Sequence, residues 1–174
     1  MARYRRFDVV PDAATRAAET IEPDTMGPDT IESVRIRRAG LKSAMSTLEI
    51  AIAAPAPGRL DEWAAGVREA LGGLQEVWTR HIVETEAPGA FLDELVEDAP
   101  RLYNKSARLR EEHGEILSIL LDVDGRLTPD VDDPEWADRL RSLLTSLLVA
   151  LARHRQRGAD LVYEAYAVEI GGGY

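Results

Sequence analysis

The sequence predicts an all-α protein, an antiparallel up-down four-helix bundle with a short extra helix between its second and third long helices. Three observations carry this expectation. Apolar residues recur at the spacing of one helix face in four long runs. Proline and glycine breaks separate the runs. No segment keeps the period-two alternation of a strand over a strand's length.

Residues 1–29 carry Pro11, Pro23, Gly27 and Pro28 in a polar setting, with Pro23-Asp-Thr nearly repeated at Pro28-Asp-Thr. They are expected to form a partly extended N-terminal arm, with a weakly amphipathic piece at 12–19, and the bundle is expected over 30–174. Asp29 with Glu32 reads as a capping box, and Ile31, Val34, Leu41, Met45, Leu48 and Ile52 then mark helix 1, about 30–54, which Pro55 and Pro57 stop. Helix 2, about 59–86, follows Trp63, Val67, Leu71, Leu74, Trp78 and His81 to the Ala87-Pro88-Gly89 break. Within it, Gly72-Gly73 implies a close helix contact or a kink.

The short extra helix covers Phe91 to Glu97 and lies across the end of the bundle. Pro100 is placed to open helix 3, whose stripe runs Leu102, Ser106, Leu109, His113, Ile116 and Leu120 to the stop at Asp124-Gly125. Asp133-Pro134-Glu135 signals the start of a long helix 4, with Trp136, Leu140, Leu143, Leu147, Leu151, His154 and Leu161 on one stripe and Gly171-Gly172-Gly173 at its end.

A length of 174 residues suits one domain with its own core. The chain has no cysteine, so disulfides, thiolate zinc sites, iron–sulfur clusters and cysteine nucleophiles are excluded, and any metal must be held by nitrogen and oxygen. The net charge of −10 argues against nucleic acid as a partner. The basic N-terminus has no apolar segment behind it and charges interrupt every hydrophobic run, so the expected location is cytoplasmic, with no membrane partner. Phosphate-loop and dinucleotide fingerprints are absent, which leaves no place for a nucleotide or flavin cofactor. Trp63, Trp78 and Trp136 are expected in the core, Tyr103, Tyr163 and Tyr166 half-buried with wet hydroxyls, and the arginine clusters at 35–38 and 153–157 solvated.

The three histidines are the informative residues. His81, His113 and His154 fall one each on helices 2, 3 and 4, each in phase with its apolar stripe, so all three are expected to point towards the bundle axis. Buried imidazoles need carboxylates, water or a metal as partners. Glu84, three residues after His81 on nearly the same face, is the best-placed acid; Glu112 and Glu115 flank His113 but are rotated off its stripe. A site of His81, His113, His154 and Glu84 would suit Fe, Mn or Zn as divalent ions.

The order of these elements, with Thr-Glu-Ala-Pro-Gly at 85–89, Ala-Pro-Arg-Leu at 99–102, Leu-Arg-Glu-Glu-His at 109–113 and a histidine in a long last helix, resembles the hemerythrin-like (HHE cation-binding) domain family over about 30–174. The resemblance implies a four-helix bundle that binds iron or a related metal and serves oxygen or redox sensing, iron handling or stress response. The chain departs from the family pattern: no histidine precedes residue 81, and Thr85, Leu117 and Gly158 stand where a second ligand one turn after each histidine is expected. That set is too small for a normal diiron centre.

Three functions follow as expectations. The first is a binding or sensing protein that holds one transition metal, or an oxygen-related small ligand, among the three histidines. The second is a metal-free interaction or scaffold protein with a protein partner. The third is a small-molecule enzyme using a cavity opened by Gly114 and Gly158, with a histidine as general base.

Overall fold

The computed structural model describes residues 28–130 and 133–167, with side chains for 39–130 and 133–165. Residues 1–27 of the arm expected at 1–29, the glycine run at 171–173, and the side chains of Asp29, Glu32 and Tyr166 lie outside the described residues, whereas residues 28 and 29 of that arm already belong to the first helix.

Every regular element among the described residues is helical: α1 (Pro28–Ala53), α2 (Leu60–Glu86), α3 (Phe91–Asp98), α4 (Tyr103–Gly125) and α5 (Trp136–Ala167), with a single 3-10 turn at Pro100–Leu102 ahead of α4. Proline opens that turn because it has no N–H for a preceding carbonyl and its φ is already helical. At the start of α5, the Asp133 carboxylate accepts from the Glu135 N–H at 3.0 Å, and its carbonyl accepts from the Trp136 N–H at 3.1 Å. Two turn glycines, Gly58 and Gly89, take a φ of 72° in the left-handed region, which suits residues without a Cβ.

The helices are tied to one another by side chains that satisfy carbonyls of their neighbours. Arg68 donates to the Leu127 carbonyl at 2.6 Å, Gln75 to Leu120 at 3.2 Å and Trp78 Nε1 to His113 at 3.4 Å, so α2 and α4 run in opposite directions. Arg141 on α5 donates to the carbonyls of Ile52 at 3.0 Å and Ala54 at 2.9 Å, capping the end of α1, while its guanidinium lies 4.9 Å from the Trp63 ring centroid. Trp63 meets Trp136 edge to face at 5.7 Å. Helix α1 packs on α2 and α5, α2 on α4, and α4 on α5, while α3 lies against α2 and α4.

The core has two parts. The larger draws Leu48, Leu71, Leu74, Leu120, Leu144, Leu147 and Leu151 from the four long helices. The smaller joins Leu92, Leu95, Leu102, Leu109 and Leu161 under α3. The three tryptophans are buried, as expected. Tyr103 and Tyr163 differ from expectation in being exposed, because they lie off the buried stripes of α4 and α5. No helix among the described residues is long and apolar enough to cross a membrane.

The close contact expected at Gly72-Gly73 is not there. Helix α2 continues through both glycines, and a Cβ at either would meet nothing within 4 Å. Both glycines then only loosen the helix, and Gly73, which is exposed, is the cleaner site to test. Gly73→Ala should raise the unfolding free energy by about 0.5–1 kcal/mol, read as an increase in the urea midpoint with an unchanged slope.

Candidate metal centre

The boundary between the two cores is polar. On α4, His113 falls between Leu109 of the smaller core and Ile116 of the larger. On α5, His154 falls between Leu151 and Leu161 in the same way. His81 comes from the last turns of α2 and is half-buried, whereas His113 and His154 are 2% and 3% exposed. The indole of Trp78, fully buried, packs against all three rings, with centroids 5.2, 5.4 and 5.0 Å from those of His81, His113 and His154.

The rings converge through one nitrogen each. His154 Nε2 lies 3.3 Å from His81 Nε2 and 3.2 Å from His113 Nε2. All three histidines offer a ligand atom within 4.8 Å of the other two. The opposite nitrogens of the two buried rings are tied to carboxylates: His113 Nδ1 to Glu86 Oε1, and His154 Nδ1 to Glu112 Oε2 at 3.1 Å. An ionised carboxylate only accepts, so each Nδ1 carries the proton and each Nε2 keeps its lone pair. The two bare nitrogens therefore face each other away from solvent, with His81 Nε2 beside them, an arrangement that a shared cation would relieve. Two nitrogens bound to one divalent ion at about 2.1 Å sit roughly 3.0–3.4 Å apart at octahedral or tetrahedral angles, and the observed spacings fall in that range.

Protonation is the other way to relieve two facing lone pairs, and burial opposes it. Desolvation holds the His113 imidazole below its ordinary pKa despite its bond to Glu86. His154 is pushed down to about 4, by burial first and by the neighbouring His113 second, against the pull of Glu112. Glu112 is itself 7% exposed and its charge is met by Arg157, whose Nε lies 2.7 Å from Oε1, and more distantly by Arg108 at 3.6 Å.

The structure brings together His81, His113 and His154 as the sequence implied, and it does not bring Glu84 into their group. Three residues along a helix turn the direction by about 300°, which leaves Glu84 some 60° from the ray of His81. The acids that do reach histidines come from across helix interfaces. Glu86, the last residue of α2, reaches His113 on α4, and Glu112 on α4 reaches His154 on α5. Glu112 is rotated off the His113 stripe, but that rotation aims it at α5. Glu115 is exposed, Asp160 bonds Gln156, and Glu164 pairs with Lys105. Of the positions one turn beyond the histidines, Thr85 returns its hydroxyl to the His81 carbonyl at 2.8 Å and Leu117 packs on the larger core. Gly158 lines a cavity of about 260 Å³ that also touches His81 and His154. Gly114, expected to share in such a cavity, is exposed on α4 instead.

No family model matches the chain, and no solved structure matches it. Among curated proteins it is similar to the DNA repair protein RecN of Mycobacterium bovis, at 28% identity over 171 residues that cover 94% of this chain and 25% of RecN. RecN of two strains of Mycobacterium tuberculosis matches at the same level. The chain spans about a quarter of the length of the curated relatives it matches.

The lowered histidine pKa values fix the sign of an acid response. Between about 4 and the ordinary value of 6.5, the unfolded chain binds a proton at His154 that the folded chain refuses. Metal-free protein should therefore hold full stability above pH 6.5 and lose it as the pH falls towards 4, at up to about 1.4 kcal/mol per pH unit for each such histidine. Urea midpoints measured across that range in the presence of chelator should show this slope, and His154→Gln should flatten it.

Proposed function

We propose that this chain is a metal-binding or sensing protein of the hemerythrin-like kind, an antiparallel up-down four-helix bundle that holds one divalent transition metal through the Nε2 atoms of His81, His113 and His154. One observation carries the reading: His154 Nε2 lies within 3.3 Å of the Nε2 atoms of both His81 and His113, while the Nδ1 atoms of His113 and His154 are tied to carboxylates. The carboxylate–histidine arrangement is the one that orients metal-bound imidazoles and raises their basicity. With Glu84 outside the group the donors are all nitrogen, which favours Zn or Fe(II) over Mn among the ions the residues suit. Three protein ligands leave coordination positions for a small molecule, the property a sensor or binding protein needs. The same bundle provides the chain's own buried donors, so ion uptake adds to its stability by linkage.

A second reading has its own support. The bonds of His113 and His154 to Glu86 and Glu112 satisfy half of each buried ring without metal, and the similarity to part of RecN suits a helical module that acts through a protein partner in DNA repair. The acidic net charge favours a protein over DNA as that partner.

Metal analysis of protein purified without chelator, then loaded anaerobically with Fe(II) or Zn(II), separates the two. The metal reading expects one ion per chain and quenching or shifting of Trp78 emission on loading, and a stoichiometry near zero after loading would overturn it. Any one of His81→Ala, His113→Ala or His154→Ala should abolish tight binding. Glu86→Gln and Glu112→Gln should each weaken affinity by about 10–100-fold, whereas Glu84→Gln should leave it unchanged, as isothermal titration would record.

A further inference from the structure

The cavity of about 260 Å³ beside the histidines has a charge character opposite to that of the chain as a whole. Among the described residues its wall includes Arg155 and no aspartate or glutamate, in a protein of net charge −10. It touches His81 and His154 but not His113, so it meets the histidine cluster from one side. Glu86 and Glu112 lie outside its wall, behind the rings.

Arg155 is the second observation. It is half-buried on α5. Among the described residues no carboxylate pairs with it, although other arginines of α4 and α5 are paired, such as Arg110 with Asp93, Arg141 with Asp138 and Arg157 with Glu112. A guanidinium at the wall of a cavity that no described carboxylate meets can take an acceptor there, and a planar oxyanion matches its fork. The rest of the wall is mixed: Thr85 and Gln156 are polar, while Leu41, Phe91 and Val162 are apolar. The volume is roughly that of nine water molecules, which limits an occupant to a small molecule.

We propose that this cavity binds a small organic carboxylate, one oxygen of which takes an open position on the metal between His81 and His154 while Arg155 pairs with the other and Leu41, Phe91 and Val162 receive a short apolar chain. The inference rests on the metal reading above and names the ligand class of that same site. A divalent ion among neutral imidazoles carries positive charge towards the cavity, and Arg155 adds to it, so an anion is favoured over a neutral or cationic ligand of equal size. Glycine at 158 keeps the space open, since a Cβ there would meet nothing within 4 Å.

Co(II) serves as the probe metal because its visible spectrum reports coordination. Full-length protein loaded with Co(II) to one equivalent is titrated with acetate, butanoate, hexanoate and, as a charge control, hexylammonium. The carboxylates should perturb the Co(II) spectrum saturably, with butanoate and hexanoate tighter than acetate, and hexylammonium should not. Arg155→Gln should retain one Co(II) per chain and weaken butanoate at least tenfold. Gly158→Leu should also retain Co(II) and should lose hexanoate before acetate. Stoichiometric Co(II) with no response to any carboxylate, or a response indifferent to Arg155→Gln, overturns the carboxylate site and leaves the metal site standing. Failure to bind Co(II) overturns both.

Discussion

The constraint on which this molecule turns is the placement of imidazole rings in a layer that two apolar cores enclose. Each buried ring must satisfy two nitrogens, and the fold handles them unequally. The Nδ1 atoms of His113 and His154 are directed outwards to Glu86 and Glu112, and their Nε2 atoms are left to face each other. Ionised carboxylates fix the tautomer, the tautomer fixes which nitrogens are bare, and the bare nitrogens create a demand for positive charge. Burial opposes meeting that demand by protonation, because desolvation holds both imidazoles below their ordinary pKa.

The register of the long helices follows from the same layer. Eighteen residues separate Trp63 from His81 and eighteen separate Trp136 from His154, about five helical turns in each case. The edge-to-face tryptophan pair at one end therefore puts the two histidines at the same level at the other. Trp78 lies one turn before His81 and closes the layer on the side of the larger core, where its N–H also bonds the carbonyl of His113. A slip of α2 by one turn against α5 would part both ring pairs together. Arg141 adds a further check on that register, since it must reach the end of α1 and the face of Trp63 at once.

Much of this was legible in the sequence, and the division has a physical basis. Helix boundaries came within a few residues of Leu60–Glu86 and Phe91–Asp98, and of the start of the last helix at Trp136, because prolines, glycines and periodicity are local signals. The convergence of the histidines was legible for the same reason: phase within a helix states which way a residue points. The carboxylates were not. Glu84 was favoured because its relation to His81 lies within one helix, whereas Glu86 and Glu112 act on histidines of other helices. Which face of α4 meets α5 depends on crossing angle and rotation, and a stripe of apolar residues leaves those free by tens of degrees. Glu112 looked misplaced beside His113 because it belongs to His154. Of the close contact or kink that Gly72-Gly73 suggested, the contact has no tertiary counterpart.

Gly158 joins the ligand set to the cavity. A hemerythrin-like pattern would put an acidic side chain one turn after the last histidine, reaching back to a metal. With glycine there, no side chain reaches back, and Gly158 instead lines the cavity of about 260 Å³ that touches His154. Arg155, three residues earlier on the same helix and about 60° around it, lines the same cavity. On the proposed metal reading, the missing acid at 158 would leave a coordination position open next to a cavity that carries Arg155 on its wall. A carboxylate supplied from outside would suit both, and the proposed centre would then be one whose last ligand is exchangeable.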